Sequence, residues 1–160
     1  MKRIKPTFEF FSFESFEELS LEDQKLLTLS IEARGNAYAP YSNFKVGAAV
    51  LLGNSEVVIG SNQENASYPS GLCAERVAVF QAGAKYPEVS INKIAITATS
   101  EKYKVDRPAA PCGNCRQSIL EYEQKQKRPI EILMMGETGK ILKCSSIADL
   151  LPFAFDNSFL

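Results

Sequence analysis

Two short segments hold the residues with the greatest chemical reach: Cys73-Ala74-Glu75 and Pro111-Cys112-Gly113-Asn114-Cys115. Cys112 and Cys115, three apart, share one face of a helical turn and can both reach one ion. Histidine is absent from all 160 residues. Ser-His-Asp triads, Cys-His dyads and imidazole ligands are therefore excluded. Acid–base work falls to Glu, Asp, Lys, Tyr or Cys, and any metal must be held by Cys or carboxylates. Three thiolates on a zinc ion, from Cys73, Cys112 and Cys115, would leave its fourth tetrahedral position open, the layout of a catalytic rather than a closed structural site. Glu75, two residues from Cys73, can sit beside that position without ligating, take a proton from bound water and hand it on. A zinc ion with three thiolates carries one net negative charge, which opposes ionisation of that water. Arg76 and Arg116, each directly after a site residue, are the available counter-charges, and at least one is expected to hydrogen-bond the sulfurs.

The elements that must position these segments follow from periodicity and turn signals. Each cysteine segment opens a predicted helix, where the dipole favours thiolates. One helix runs through CAERVAVFQAGAKY with Val77, Phe80 and Ala84 at core-facing spacing, and the other from Gly113 to about Lys125. Ser20 with Asp23 three residues on reads as the cap of an earlier helix that ends near Gly35-Asn36. Phe44 to Leu52 and Glu56 to Ile59 form a hairpin about Gly53-Asn54-Ser55. Further strands are expected over Ile91 to Thr99, Ile130 to Met135 and Lys140 to Cys144, and Ser146 with Asp149 could cap a last short helix. The order predicts an α/β layered domain, a mixed sheet of about five strands flanked by helices, with later strands joined by helical crossovers and parallel. Ahead of this single domain, residues 20–160, lies a Phe- and Glu-rich extension, residues 1–19. Its Phe8, Phe10, Phe11, Phe13 and Phe16 suit an extended arm with one apolar face, lying over its own domain or a neighbouring subunit.

Composition bounds the function. Hydrophobic residues at 45% and charged residues at 23% are ordinary for a globular chain and exclude wholesale disorder. Eighteen basic against nineteen acidic residues disfavour a nucleic-acid partner. The longest apolar run, Val46 to Gly53, is far short of the ~18 residues of a membrane span. Glu9 and Glu14 interrupt the start of the chain, so no secretory signal is expected. The chain reads as cytoplasmic, with its four cysteines as thiols or metal ligands rather than disulfides. Cys144, in a predicted strand, reads as a buried thiol rather than a fourth ligand.

The combination C-x-E…P-C-x-x-C is the all-cysteine form of the signature of zinc-dependent nucleobase deaminases. From about Tyr38 to Phe155 the chain resembles the small, homotetrameric cytidine deaminases of pyrimidine salvage. The resemblance lies in YAPYSNFKVGAAV, Gly60-Ser61-Asn62-Gln63-Glu64-Asn65, CAER, PCGNCRQ and LLPFAF. It implies a cytidine-deaminase-like fold, one zinc ion per subunit on Cys73, Cys112 and Cys115, and Glu75 as proton shuttle. It places the ribose 3′-hydroxyl contacts on Asn62 and Glu64, the base-stacking ring on Phe44 and a base-contacting amide on Ala74. Tyr68 and Phe155 would complete a neighbouring subunit's site. The implied reaction is hydrolysis of cytidine and 2′-deoxycytidine by zinc-activated hydroxide, giving the uridines and ammonia. No role carries over to the first nineteen residues.

The residues alone leave other readings open. Phe44 could be core, Asn62 and Glu64 turn residues, Tyr68 and Phe155 packing residues, and Arg76 a solvent-facing helix residue. A related zinc deaminase acting on another aminopyrimidine nucleoside, of the blasticidin type, is one alternative, and the Asn62–Glu64 pair speaks against it. Polynucleotide deamination is a variant that the near-neutral charge disfavours. A zinc protein whose metal only holds the fold is a third, and it leaves Glu75 unexplained.

Overall fold

The computed structural model describes residues 1–160. The first long helix, α1 (Leu21–Arg34), is capped as its sequence predicts: the Ser20 side chain accepts a hydrogen bond from the Asp23 amide. The hairpin β2 (Phe44–Leu52) and β3 (Val57–Ser61) follows. Then come α2 (Ala74–Lys85), β4 (Ile91–Ser100), α3 (Gly113–Gln126), β5 (Glu131–Met135) and β6 (Ile141–Cys144). A short 3-10 turn, Ile147–Leu150, closes the sequence of elements around the core, and Ser146 caps it through the Ala148 amide. No helix is long and apolar enough to cross a membrane.

The sheet has six strands rather than about five, because the arm supplies one. Phe11–Phe13 forms β1 and pairs antiparallel with β6, giving the order β1-β6-β5-β4-β2-β3. The arm thus lies on its own domain over this stretch, with Phe13 and Phe16 packed on the core beside α1. Among neighbouring strands of the sheet, only β4 and β5 pair in parallel. The hairpin partner β2 separates β3 from β4 and is antiparallel to both. The strands that precede and follow α2 and α3 therefore still run in one direction, so both helices begin at the same end of the sheet.

Alternation along the central strands builds two cores. Ala48, Val50, Ile94, Ile96, Ile132 and Met134 face α2 and α3, whereas Ala49, Ala95 and Leu133 face α1. The result is a three-layer α/β/α domain. On the α2 face the sequence expectation needs correction. Val77, Phe80 and Ala84 do not point inward: Phe80 and Ala84 are exposed and Val77 only half-buried, while Ala74, Ala78, Val79 and Ala82 are buried. The cause is the close approach of the helix to β3. A Cβ at Gly60 would lie 2.6 Å from the Ala78 nitrogen and 2.7 Å from the Ala74 carbonyl oxygen. At that spacing the positions that face β3, Ala74 and Ala78, are restricted to small side chains, while Val79 packs into the core and Phe80 lies outward.

On the opposite face a charged cluster secures α1. Asp23, 3% exposed, accepts from Lys93 at 2.8 Å and Lys143 at 3.1 Å, and both lysines also pair with Glu131. Burial raises the Asp23 pKa, but the two lysines lower it by more, leaving the carboxyl below the usual carboxylate range. A carboxylate depressed in this way contributes stability above its unfolded pKa of ~4, and the contribution is lost as pH falls through the lower folded value. Asp23→Asn is expected to cost about 2 kcal/mol at pH 7, because it leaves partly buried lysines short of a counter-charge. The gap to wild type in urea titrations should narrow below about pH 4. A gap equal at pH 7 and pH 3 would contradict this account.

Candidate metal centre

Cys73 and Cys112 occupy equivalent positions, each the cap residue at the head of its helix, with φ, ψ of −72°, 154° and −67°, 168°. Neither side chain caps its own helix, so both sulfurs are free for another partner. Cys115 lies in the first turn of α3 and is fully buried. The Sγ atoms of Cys73 and Cys112 are 3.8 Å apart and those of Cys112 and Cys115 3.5 Å, and all three lie within 4.8 Å of one another. Tetrahedral zinc with Zn–S bonds of about 2.3 Å requires sulfur–sulfur separations of about 3.8 Å, so the donor set and its spacing both fit the ion. Cys144 is remote from this group, buried in β6 within the main core, where burial raises its thiol pKa to about 11.

The electrostatics of the cluster favour one thiolate and resist ionisation of Cys115 beside it. The adjoining Cys115 thiol, opposed by burial and aided by Cys112 and Arg76, brings the Cys73 pKa down to about 5. Ionisation of Cys115 is in turn strongly resisted by Cys73, burial and Glu75. One thiolate forms readily, but three together require positive charge between them. Glu75, in the first turn of α2, is 4% exposed. Burial, with a further push from Cys73, raises its pKa to about 7 against the opposing effects of its backbone amide, Cys115 and Arg76. A carboxyl so placed can hold or release a proton near neutral pH.

The two arginines have separate roles. Arg76 lies beside Cys73, where its charge favours the thiolate, and its Nη2 donates to the Gly71 carbonyl at 3.4 Å. Arg116 donates instead from Nε to the Pro111 carbonyl at 2.8 Å and from Nη1 to the Leu150 carbonyl at 2.7 Å. It fixes the loop that carries Cys112 to the turn after β6.

A cleft of about 500 Å³ opens beside Cys73 and Arg76, lined also by Tyr41, Ser42, Asn62, Glu64 and Tyr68. Glu64 Oε2 accepts from the Tyr41 amide at 2.9 Å and the Ser42 amide at 3.2 Å. The Asn62 side chain is largely engaged within the protein: Oδ1 accepts from the Val46 amide at 2.7 Å, and Nδ2 donates to the Phe44 carbonyl at 3.0 Å. One Nδ2 hydrogen remains for a ligand. Phe44 is half-buried at the head of β2. Ala74 is fully buried, and as the first residue of α2 its amide has no intrahelical acceptor. Tyr68 is 80% exposed and meets Tyr41 edge-on at 6.4 Å between ring centroids. Phe155 is not in the cleft lining; it stacks on Phe159 in the C-terminal segment. Tyr41 and Ser42 carried no predicted role, although they lie inside YAPYSNFKVGAAV, and their backbone amides left no sign in the sequence.

Residues 20–128, more than half of the chain, match the sequence model of the cytidine and deoxycytidylate deaminase zinc-binding region. The chain is 38% identical over 135 residues to a cytidine deaminase from Halalkalibacterium halodurans, covering 84% of this chain and 95% of that one. It is 40% identical over 127 residues to a cytidine deaminase from Mycobacterium tuberculosis, covering 78% of this chain and 82% of the relative. The crystal structure of cytidine deaminase from Burkholderia pseudomallei superposes with a TM-score of 0.71 at 38% identity, covering 86% of this chain and 100% of that chain. With three cysteines placed to bind the metal and these relatives alike in sequence and fold, the chain belongs to the zinc-dependent cytidine and deoxycytidylate deaminase family.

Proposed function

We propose that the chain hydrolyses cytidine and 2′-deoxycytidine to uridine and 2′-deoxyuridine in pyrimidine salvage, acting as a cytoplasmic homotetramer with shared sites. The observation that carries this reading is the three-sulfur cluster with the buried carboxyl of Glu75 in the first turn of the helix that Cys73 heads. When bound by Cys73, Cys112 and Cys115, zinc supplies Lewis acidity that makes water nucleophilic near neutral pH.

The protein's own groups manage the protons and the substrate. Glu75 accepts a proton from the attacking water and delivers it to ring N3, then accepts the proton of the new C4 hydroxyl and passes it to the amine as it leaves C4. One water is consumed, the C4–N bond breaks, a C4 carbonyl forms and ammonia departs. A carboxyl with its pKa near 7 suits both halves of that cycle. The Ala74 amide contacts the base and Phe44 stacks on it. The Glu64 carboxylate accepts from the ribose 3′-hydroxyl, and the remaining Asn62 Nδ2 hydrogen donates to the same oxygen. A site that reads only the 3′-hydroxyl admits both ribose and deoxyribose. The exposure of Tyr68 and of Phe155, 58% for the latter, is consistent with both reaching a neighbouring subunit's site.

Ultraviolet absorbance of cytidine incubated with the zinc-loaded protein tests the reaction directly. Glu75→Gln should lower kcat by about 10³-fold or more while zinc content is unchanged. Wild-type protein that is folded and zinc-loaded yet leaves cytidine intact would overturn the proposal. The two arginines should separate in parallel assays. Arg76→Gln is expected to lower kcat/KM by about tenfold through the metal's net charge. Arg116→Gln should chiefly lower the thermal midpoint, by a few degrees for about 1–2 kcal/mol, through loss of charged hydrogen bonds to carbonyls. Equal effects of the two substitutions on turnover would remove the distinction.

A further inference from the structure

Beyond the turn at Ile147–Leu150 the chain is fastened to the first turns of α3 at two points. Arg116 Nη1 donates to the Leu150 carbonyl at 2.7 Å and, one residue on, Gln117 Nε2 donates to the Phe155 carbonyl at 2.9 Å. The backbone of residues 152–160 is hydrogen-bonded to the rest of the chain only at the second of these. Between the two fastenings Leu151 and Ala154 pack against the main core, while Phe153 and Phe155 lie exposed. Phe153 has φ of 56°, a left-handed conformation that is unfavourable for a bulky side chain and persists only where its surroundings impose it. A segment strung between two held carbonyls, with two side chains drawn into the core, supplies that constraint. After Phe155 the chain turns back on itself. The Asp156 side chain accepts from the Ser158 amide at 2.8 Å, and the Phe159 ring stacks on Phe155 with centroids 5.5 Å apart.

We infer that Gln117 is a positioning residue for the shared substrate site: its amide holds the Phe155 carbonyl and so fixes the ring that Phe155 offers to a neighbouring subunit. The inference rests on the function proposed above. Gln117 stands two residues after Cys115, in the helix whose start carries two of the three sulfurs. One rigid element thus sets the sulfurs of its own subunit and the aromatic ring lent to the next. Without the Gln117 bond, the segment from Pro152 onward would have to be immobilised when substrate binds. That loss of freedom weakens affinity and leaves the chemical step unaltered. Gln117 acts through Phe155 and touches none of the reacting atoms.

The test compares steady-state kinetics on cytidine for zinc-loaded wild type, Gln117→Met, Phe155→Ala and the Gln117→Met/Phe155→Ala pair, with zinc content and sedimentation of each. Methionine keeps the length, neutrality and helix propensity of this exposed glutamine and removes its amide, so the fold should persist. Gln117→Met is expected to raise KM about fivefold, with kcat within about twofold of wild type and with zinc content and assembly unchanged. Phe155→Ala should raise KM by at least as much, and in that background Gln117→Met should add less than about twofold. A wild-type KM in Gln117→Met, a loss that falls on kcat, or a loss of the same size with and without the Phe155 ring overturns the inference and leaves the proposed reaction standing. A wild-type KM in Phe155→Ala does the same, since Gln117 then has no ring to position. Zinc-loaded wild-type protein that leaves cytidine intact overturns both.

Discussion

At Gly60 the backbone of β3 runs against the backbone of α2 with no side chain between them, so close that a Cβ would lie 2.6 Å from the Ala78 nitrogen. Much else follows from that contact. It requires small residues at Ala74 and Ala78, and the larger Phe80 lies on the exposed side of the helix. It also fixes where the helix begins. Cys73 stands at that beginning and Glu75 in its first turn, so the height of α2 above the sheet sets the position of one sulfur and the buried Glu75 carboxyl together. A larger residue at Gly60 would displace a reaction centre that it does not touch.

The second helix is matched to the first by topology. Because β3, β4 and β5 share a direction, α2 and α3 start at the same end of the sheet. Their N-termini bring Cys73 to Cys112 and Cys115, with positive helix ends facing the sulfurs. The cluster then poses an electrostatic problem that no neighbouring side chain solves by itself. Cys73 ionises readily and Cys115 does not, and the Arg76 guanidinium compensates only part of the charge. A divalent cation completes the balance, which makes metal binding a property of the charge distribution as well as of the spacing.

The sequence made the skeleton of this arrangement readable, and its failures have physical causes. The Ser20 cap, the strand from Phe44 to Leu52 and the helix from Gly113 emerge from local rules about caps, β-branched runs and helical period, and all three are present. The three cysteines are brought together as their spacing predicts. On α2 the periodicity of Val77, Phe80 and Ala84 points to the wrong face, because hydrophobic size usually marks the inner face whereas here backbone proximity at Gly60 selects alanine at 74 and 78. The sixth strand was read as an arm because the partner of Phe11–Phe13 lies near the other end of the chain, a pairing that periodicity does not encode. Arg116 follows a ligand in sequence just as Arg76 follows Glu75, yet its bonds go to the carbonyls of Pro111 and Leu150. Sequence adjacency carries no information about which way a guanidinium extends. Ser42 and Tyr41 act largely through main-chain amides, which every residue type possesses, and so left no compositional trace.

The pairing of β1 with β6 has a consequence for how the molecule is made. Phe11–Phe13 leaves the ribosome well before its partner Ile141–Cys144. During synthesis the earlier strand has no native partner to join until the other strands have emerged. When β6 arrives, the waiting strand occupies an edge that would otherwise offer unpaired amides and carbonyls to another molecule. Strands far apart in sequence are thereby joined late in sheet assembly, and a polypeptide that stops before β6 would keep Phe11–Phe13 as an unpaired aromatic strand suited to capture by a chaperone.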